Sequence, residues 1–207
     1  MYRLVKRAFD FAASAFVFLL ISPFFLVLMI LVRINLGSPI FFKQIRSGKG
    51  QKSFTIVKFR TMTEEVGEDG NRLPDEERMT RLGQWLRSTS LDELPELLSI
   101  IKGDMSVIGP RPLPPHYDDY YTEREKKRFM VRSGLIPPEV LYNNVQPTWD
   151  EQLEYEATYA ENISFFTDVR VILAVFKGLF SRYCSDYGEY VRQGLDQERT
   201  LKEVVKK

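Results

Sequence analysis

A single cysteine and a single histidine in 207 residues remove much of the usual catalytic and metal-binding apparatus at the outset. Cys184 alone can form neither an intramolecular disulfide nor a multi-thiolate metal site, which fits a reducing compartment. His116 alone excludes every mechanism that needs a histidine pair, and its proline-rich surroundings read as structural. An excess of one charge is missing too: 29 Lys and Arg stand against 28 Asp and Glu, a formal net charge of +1. Nucleic acid, which demands a basic surplus, is therefore not an expected partner. Repeats and low-complexity tracts are also lacking.

What is present is an uncharged run at residues 11–32, FAASAFVFLLISPFFLVLMILV, broken at its middle by Ser22-Pro23. A straight helix of that length rises about 33 Å, enough to cross a hydrocarbon core of about 30 Å. Proline removes a backbone donor at the centre, and the Ser22 hydroxyl is placed to satisfy a carbonyl so freed. Arg3, Lys6 and Arg7 precede the run, and Arg33, Lys43, Arg46, Lys49, Lys52, Lys58 and Arg60 follow it before any acid. Cations on both flanks disfavour moving either end across and suit a hairpin that dips in and returns; a kinked spanning helix remains the alternative. The run is too long for a signal-peptide core and no small-residue cleavage site follows it. Anionic lipid or phosphate is the expected company of the basic stretch 33–60.

Beyond the turn at Gly37-Ser38-Pro39, apolar residues 40–42 and 54–59 flank the segment RSGKG, predicting a short β-hairpin that carries cations. Residues 63–77 read as a mobile acidic loop. Met79, Leu82 and Leu86, with Trp85 beside them, predict a short amphipathic helix over 78–87. Ser90 and Glu93 have capping-box spacing, and Leu94, Leu97, Leu98 and Ile101 mark the apolar face of a helix closed by Lys102-Gly103. Residues 104–117 predict an irregular loop, 116–132 a charged helix, and 133–148, with Asn143-Asn144, another loop. Helix is expected over 149–180, its second part (169–180) suited to a membrane surface or to a core. The polar remainder, 181–207, carries Gly188 and Gly194 as breakers.

With His and Cys nearly absent, chemistry must come from carboxylates, and Asp92-Glu93 in a first helical turn is the best-placed pair. A helix N-terminus favours the ionised form by about 0.3–1 kcal/mol, which would keep such a carboxylate deprotonated; a purely capping role is the alternative. Lys58, Arg60, Arg87 and Arg111 lie in segments leading into or out of this helix and suit a phosphate substrate. Mg²⁺, which takes one or two carboxylates plus phosphate oxygens, would complete such a site. The residues by themselves reach phosphoryl transfer and no further.

The strings KFRTM (58–62) and SLDELPELLSIIKGDMSVIGPRP (90–112), with the apolar segment around Ser22-Pro23, resemble the bacterial sugar transferases known as monotopic phosphoglycosyl transferases. The resemblance implies an α+β, mainly helical fold: a re-entrant helix-break-helix over 1–36, a cytosolic catalytic domain over 37–180 with a short β-hairpin and interfacial helices, and a tail over 181–207. It implies transfer of a phosphosugar from a UDP-sugar to undecaprenyl phosphate with release of UMP, at the cytosolic face of the bacterial inner membrane, as an opening step of surface glycan assembly. Asp92 would attack to form a covalent phosphosugar intermediate and Glu93 would help hold Mg²⁺. Lys58 and Arg111, with Pro112 beside it, would serve the phosphates, and Asp168 matches an acidic residue after the aromatic pair Phe165-Phe166.

Downstream the pattern departs: where the family reads RPGITGLxQVxGR, this chain has RSGLIPPEVLYNN at 132–144, keeping Arg132 and losing the closing Gly-Arg. The sugar, the replacement for that arginine, the glycan pathway and a homodimer through the surface helices are left open. Two rival expectations stand beside the transferase, a catalytically idle membrane-anchored scaffold and a lipid-diphosphate phosphohydrolase using water.

Overall fold

The computed structural model describes residues 2–142, 147–182 and 192–205. Asn143-Asn144, Cys184 and Gly188 lie outside the described residues. Two compact units divide the chain: Met1–Asp10, Ile45–Phe54 and Gly103–Lys207 form the first, Phe11–Gln44 and Thr55–Lys102 the second. Mainly helical structure with two two-stranded sheets makes the fold α+β. The first helix contributes residues to both units.

Helix α1 (Tyr2–Leu36) runs on through the expected break, with Pro23 inside it. The physical reason is local: Pro23 cannot donate to the carbonyl four residues back, and Ser22 Oγ donates to that same Leu19 carbonyl instead, at 2.8 Å. The helix is long and apolar enough to cross a membrane. Phe25, Leu28 and Val32 are buried, while Phe16, Leu19, Leu20, Leu26 and Ile30 are exposed. Gly37, at φ +76°, ends it, donating to the Arg33 carbonyl at 3.1 Å.

Strands β1 (Phe41–Ser47) and β2 (Ser53–Phe59) form the predicted hairpin. In the second unit Phe25, Phe41 and Phe59 stack with centroids 5.0–6.3 Å apart and, with Leu28, Val32 and Leu86, make its core. The acidic segment is tied by its own bonds rather than left open: Arg72 pairs with Glu64 at 2.7 Å, and Arg78 donates to the carbonyls of Leu73 and Thr63. Helix α2 (Asp75–Arg78) is one turn, and α3 (Arg81–Ser88) starts three residues later than predicted because Thr80 caps it, accepting from Gly83 N–H at 3.0 Å. Helix α4 (Glu96–Lys102) buries Glu96, Leu97, Ser99 and Ile100; Leu98, expected on its apolar face, is exposed.

In the first unit, β3 (Ser106–Ile108) pairs in parallel with β4 (Gly134–Ile136), so both predicted loops contain a strand. The missing side chains of Gly109 and Gly134 permit this: a Cβ on Gly134 would come within 2.1 Å of the Gly109 nitrogen. The expected charged helix is two 3₁₀ segments, Pro115–Tyr120 and Glu125–Met130. Helices α5 (Trp149–Glu161) and α6 (Phe165–Arg182) replace one long helix, and a capping box between Thr148 and Glu151 starts α5. Helix α7 (Leu195–Val205) docks the polar tail: Leu195 joins Leu113, Tyr121, Phe129, Trp149 and Leu153 in one core cluster, and Arg199 pairs with Glu125 at 2.5 Å.

A fully buried ion pair organises this unit. Arg128 Nε donates to Glu156 Oε2 at 2.7 Å, Arg128 Nη2 donates to the Arg111 carbonyl at 2.5 Å, and Glu156 Oε1 accepts from Arg111 N–H at 3.0 Å. Removing one partner of such a pair costs about 3–5 kcal/mol. Nearby, Glu139 Oε2 is buried without a hydrogen bond, and burial, then the Glu156 charge, push its carboxyl up to about 8. The folded chain therefore holds this proton more tightly than the unfolded one. The stability it lends is complete below the ordinary glutamate pKa and is lost as pH rises through about 8. Glu139→Gln should gain on wild type between roughly pH 5 and pH 9, the melting-temperature gap widening by about 2–4 °C per kcal/mol recovered. A gap that stays flat across that range would show that Glu139 does not titrate there.

Candidate active site

Lys58, Arg87, Asp92 and Glu93 come together in the second unit. Lys58 leaves β2 on the face opposite the buried Phe59 and pairs with Glu93 Oε1 at 2.5 Å and Glu96 Oε1 at 3.5 Å. Asp92 and Glu93 sit in a 3₁₀ turn, Leu91–Glu93, set before α4 rather than in its first turn. Ser90 takes a left-handed conformation, φ 55°, and forms no side-chain cap, so the expected capping box is absent and Glu93 turns to Lys58 instead. Glu96 was not singled out from the sequence, although its place three residues after Glu93 was the available signal.

The two adjacent carboxylates are not equivalent. Glu93 is held by an ammonium, whereas no ion pair among the described residues claims Asp92. Burial raises the Asp92 pKa, the Lys58 and Arg87 cations pull it back, and the Glu93 charge adds to the rise. This reverses the expectation that a helix terminus would dominate and favour the ionised form: desolvation is the larger effect. Arg87 is steadied by Thr61, to whose Oγ1 its Nε donates at 3.1 Å. That contact needs α3 to lie against the Thr61 backbone, and Gly83 is what allows it, since a Cβ there would fall 1.9 Å from the Thr61 carbonyl oxygen.

Other expected site residues are engaged elsewhere. Arg60 is buried and donates to the carbonyls of Ser38, at 3.1 Å, and Leu36, so its charge closes the end of α1 rather than meeting a phosphate. Asp168 is 6% exposed and accepts from Tyr2 at 2.5 Å and Tyr159 at 2.6 Å while pairing with Lys6 at 2.9 Å. Its carboxylate anchors the start of α1 within the first unit instead of lying open to a ligand. Arg111 belongs to that unit, its peptide gripped by Arg128 and Glu156 and its side chain exposed, with Pro112 following. Ser22 and Pro23 lie within α1.

Among the described residues no group of three or more His, Cys, Asp or Glu side chains converges as a metal cage. A divalent cation held here would rest on one or two carboxylates and complete its shell from substrate oxygens, the preference of Mg²⁺. The Lys58 ammonium already lies between Glu93 and Glu96.

Two outcomes follow from this geometry. Lys58→Met should raise the Asp92 pKa further, read by carbon-13 carboxyl titration of the chain in nanodiscs; an unchanged or lower value would show that Lys58 does not act on Asp92. Gly83→Ala should destabilise by about 1–3 kcal/mol despite alanine's better helix propensity, because overpacking against Thr61 wins. Unaltered thermal unfolding in that variant would refute the close approach.

Comparison with known proteins agrees with the motifs. Residues 1–182 match the family described as "Bacterial sugar transferase". The chain is 42% identical over 179 residues to "Uncharacterized sugar transferase EpsL" of Bacillus subtilis, covering 86% of this chain and 89% of that protein. It is 32% identical over 204 residues to "Exopolysaccharide production protein ExoY" of Rhizobium meliloti, covering 90% and 88%. It is 39% identical over 137 residues to a "UDP-glucose:undecaprenyl-phosphate glucose-1-phosphate transferase" of Caulobacter vibrioides, covering 63% of this chain and 51% of that protein. With the match running through the apolar helix, the hairpin and the carboxylate turn, the chain belongs to the bacterial sugar transferase family.

Proposed function

We propose that this chain transfers a sugar phosphate from a UDP-sugar to undecaprenyl phosphate, releasing UMP, with Asp92 as nucleophile. The observation that carries the assignment is the inequality of the two carboxylates: Glu93 is clasped by Lys58, while Asp92, half-buried beside Lys58 and Arg87, is claimed by no ion pair among the described residues. Names of relatives support the substrates, among them a UDP-glucose:undecaprenyl-phosphate glucose-1-phosphate transferase of Klebsiella pneumoniae and an N-acetylgalactosaminephosphotransferase of Aeromonas hydrophila that uses the same lipid phosphate.

In the first half reaction an Asp92 carboxylate oxygen attacks the β-phosphorus of the UDP-sugar. The bond from that phosphorus to the bridging oxygen breaks, and UMP leaves with the electron pair. In the second, a phosphate oxygen of undecaprenyl phosphate attacks the same phosphorus, the acyl phosphate bond breaks, and the Asp92 carboxylate is regenerated. Lys58 and Arg87 face the phosphoryl oxygens. Mg²⁺, held by Glu93 and Asp92, would supply neutralising charge for the diphosphate. A raised Asp92 pKa suits the first step, since a more basic carboxylate is a stronger nucleophile, and makes the group a poorer leaving group in the second. Its return as a leaving group is helped by the same two cations.

On this reading α1, continuous through Pro23 in this structure, bends at that proline within the bacterial cytoplasmic membrane and returns to the cytosolic side, keeping the nucleophile at headgroup height. Cations on both of its flanks and proline at its centre support that topology. A nucleophile so held meets one soluble substrate and one lipid substrate without moving far.

Purified chain in nanodiscs with Mg²⁺, undecaprenyl phosphate and a panel of UDP-sugars should release UMP. Asp92→Asn should lose at least about 10³-fold and Glu93→Gln about 10–100-fold. Intact mass after quenching with UDP-sugar alone should show the added phosphosugar in wild type and not in Asp92→Asn. Undiminished release by Asp92→Asn would sink the nucleophile. Free sugar phosphate without a lipid product would point to a hydrolase, and silence across the panel to a non-catalytic scaffold.

A further inference from the structure

The first unit holds a second concentration of cations that shares no residue with the carboxylate site. A cleft of ≈ 490 Å³ is lined by Lys49, Lys52 and Arg132, with Gly103 and Asp104. A smaller one of ≈ 40 Å³ has Lys49 and Arg132 in its lining too, and adds Arg3 and Arg7 from the first turns of α1. Two of these cations are set on one peptide. Arg132 Nε donates to the Gly103 carbonyl at 2.8 Å, and the Arg7 guanidinium lies 3.1 Å from where a Gly103 Cβ would stand, a position kept open by glycine at φ +104°. Lys49 and Lys52 are exposed and pair with no carboxylate among the described residues.

The acids in the clefts do not balance this charge. Asp10 is already committed, accepting from Ser106 Oγ at 2.6 Å and Val107 N–H at 3.3 Å and pairing with Lys6 at 3.5 Å. Asp104 leaves the larger cleft with a surplus of positive charge. Such a surplus, held in a concave site, selects an anion.

The rim identifies which anion. Met130 and Ile163 line the smaller cleft, and Met130 is exposed. Two residues beyond Ile163, α6 begins with exposed Phe165 and Phe166 and goes on to expose Leu173 and Phe176. Along α1, Arg7 precedes the first residue of the uncharged run by four positions, about 6 Å of helix. A soluble phosphate would find no use for this apolar border, whereas a lipid headgroup places its charge against cations and its glycerol and acyl chains against apolar side chains.

We propose that this cleft seats the phosphodiester headgroup of an anionic bilayer lipid, held by Lys49, Lys52 and Arg132 with Arg3 and Arg7 behind them. The assignment rests on the membrane reading of α1 and is independent of the nucleophile. One lysine at an anionic surface is worth roughly fivefold in lipid preference, so Lys49→Gln/Lys52→Gln should lose about 10- to 25-fold of it. Both side chains are exposed, so the pair can be removed without disturbing a core.

The test is native mass spectrometry of the full chain released from nanodiscs of phosphatidylcholine with about one-fifth phosphatidylglycerol, a content sufficient to populate a site of this charge. Wild type should retain phosphatidylglycerol and the double variant should not, while Lys43→Gln/Lys126→Gln, an equal loss of charge elsewhere, should retain it. Equal loss in both variants would overturn the site in favour of diffuse attraction. Displacement of the lipid by millimolar inorganic phosphate would overturn the lipid as its source. Flotation of wild type with phosphatidylcholine vesicles but no preference for phosphatidylglycerol would overturn this proposal alone; failure to float would overturn the membrane reading with it.

Discussion

Lys58, Phe59 and Arg60 follow one another at the end of β2, and each meets a different kind of partner. Strand alternation sends Phe59 into the aromatic stack with Phe25 and Phe41 and turns Lys58 outward to Glu93 and Glu96. Arg60, just past the strand, closes on the carbonyls at the end of α1. One short stretch thus links the apolar helix, the core and the carboxylate turn of the second unit. A slip of one residue would put an ammonium into the core and a phenyl ring against two carboxylates, so register here is fixed by the cost of burying charge.

What was legible in the sequence was legible because its signals are local. The uncharged run, the hairpin around RSGKG and the Gly103 stop depend on composition and backbone freedom over a few residues. So does the compensation at Leu19, since proline's missing donor and serine's spare one are adjacent. Capping at Ser90 failed because a left-handed turn there swings the carboxylate toward a lysine distant in sequence. The first unit was read less well for a related reason. Strands β3 and β4 are three residues each, and what makes them strands is a parallel partner some 28 positions away, visible only after folding. The same holds for Arg60 and Asp168, whose charges suggest ligands until the carbonyls, hydroxyls and ammonium that occupy them are seen.

Charge in this chain falls into two regimes. Arg128–Glu156 and Lys6–Asp168 are withdrawn from water and committed to fixed partners, where they orient backbone and helix ends. Lys58, Glu93 and Asp92 stay partly exposed, and their partnerships can be exchanged when a more highly charged ligand arrives. Net charge near zero hides this division.

The anchor at the start of α1 has a bearing on how the chain is made. Tyr2 and Lys6 are made long before their carboxylate partner, since Asp168 is 166 positions from Tyr2. The apolar helix is therefore complete long before its leading turns can be clasped, and loop closure over that span must await nearly the whole first unit. Folding then has a fixed order, helix before clasp, and a nascent chain stalled short of Asp168 would carry its helix with Lys6 lacking that partner.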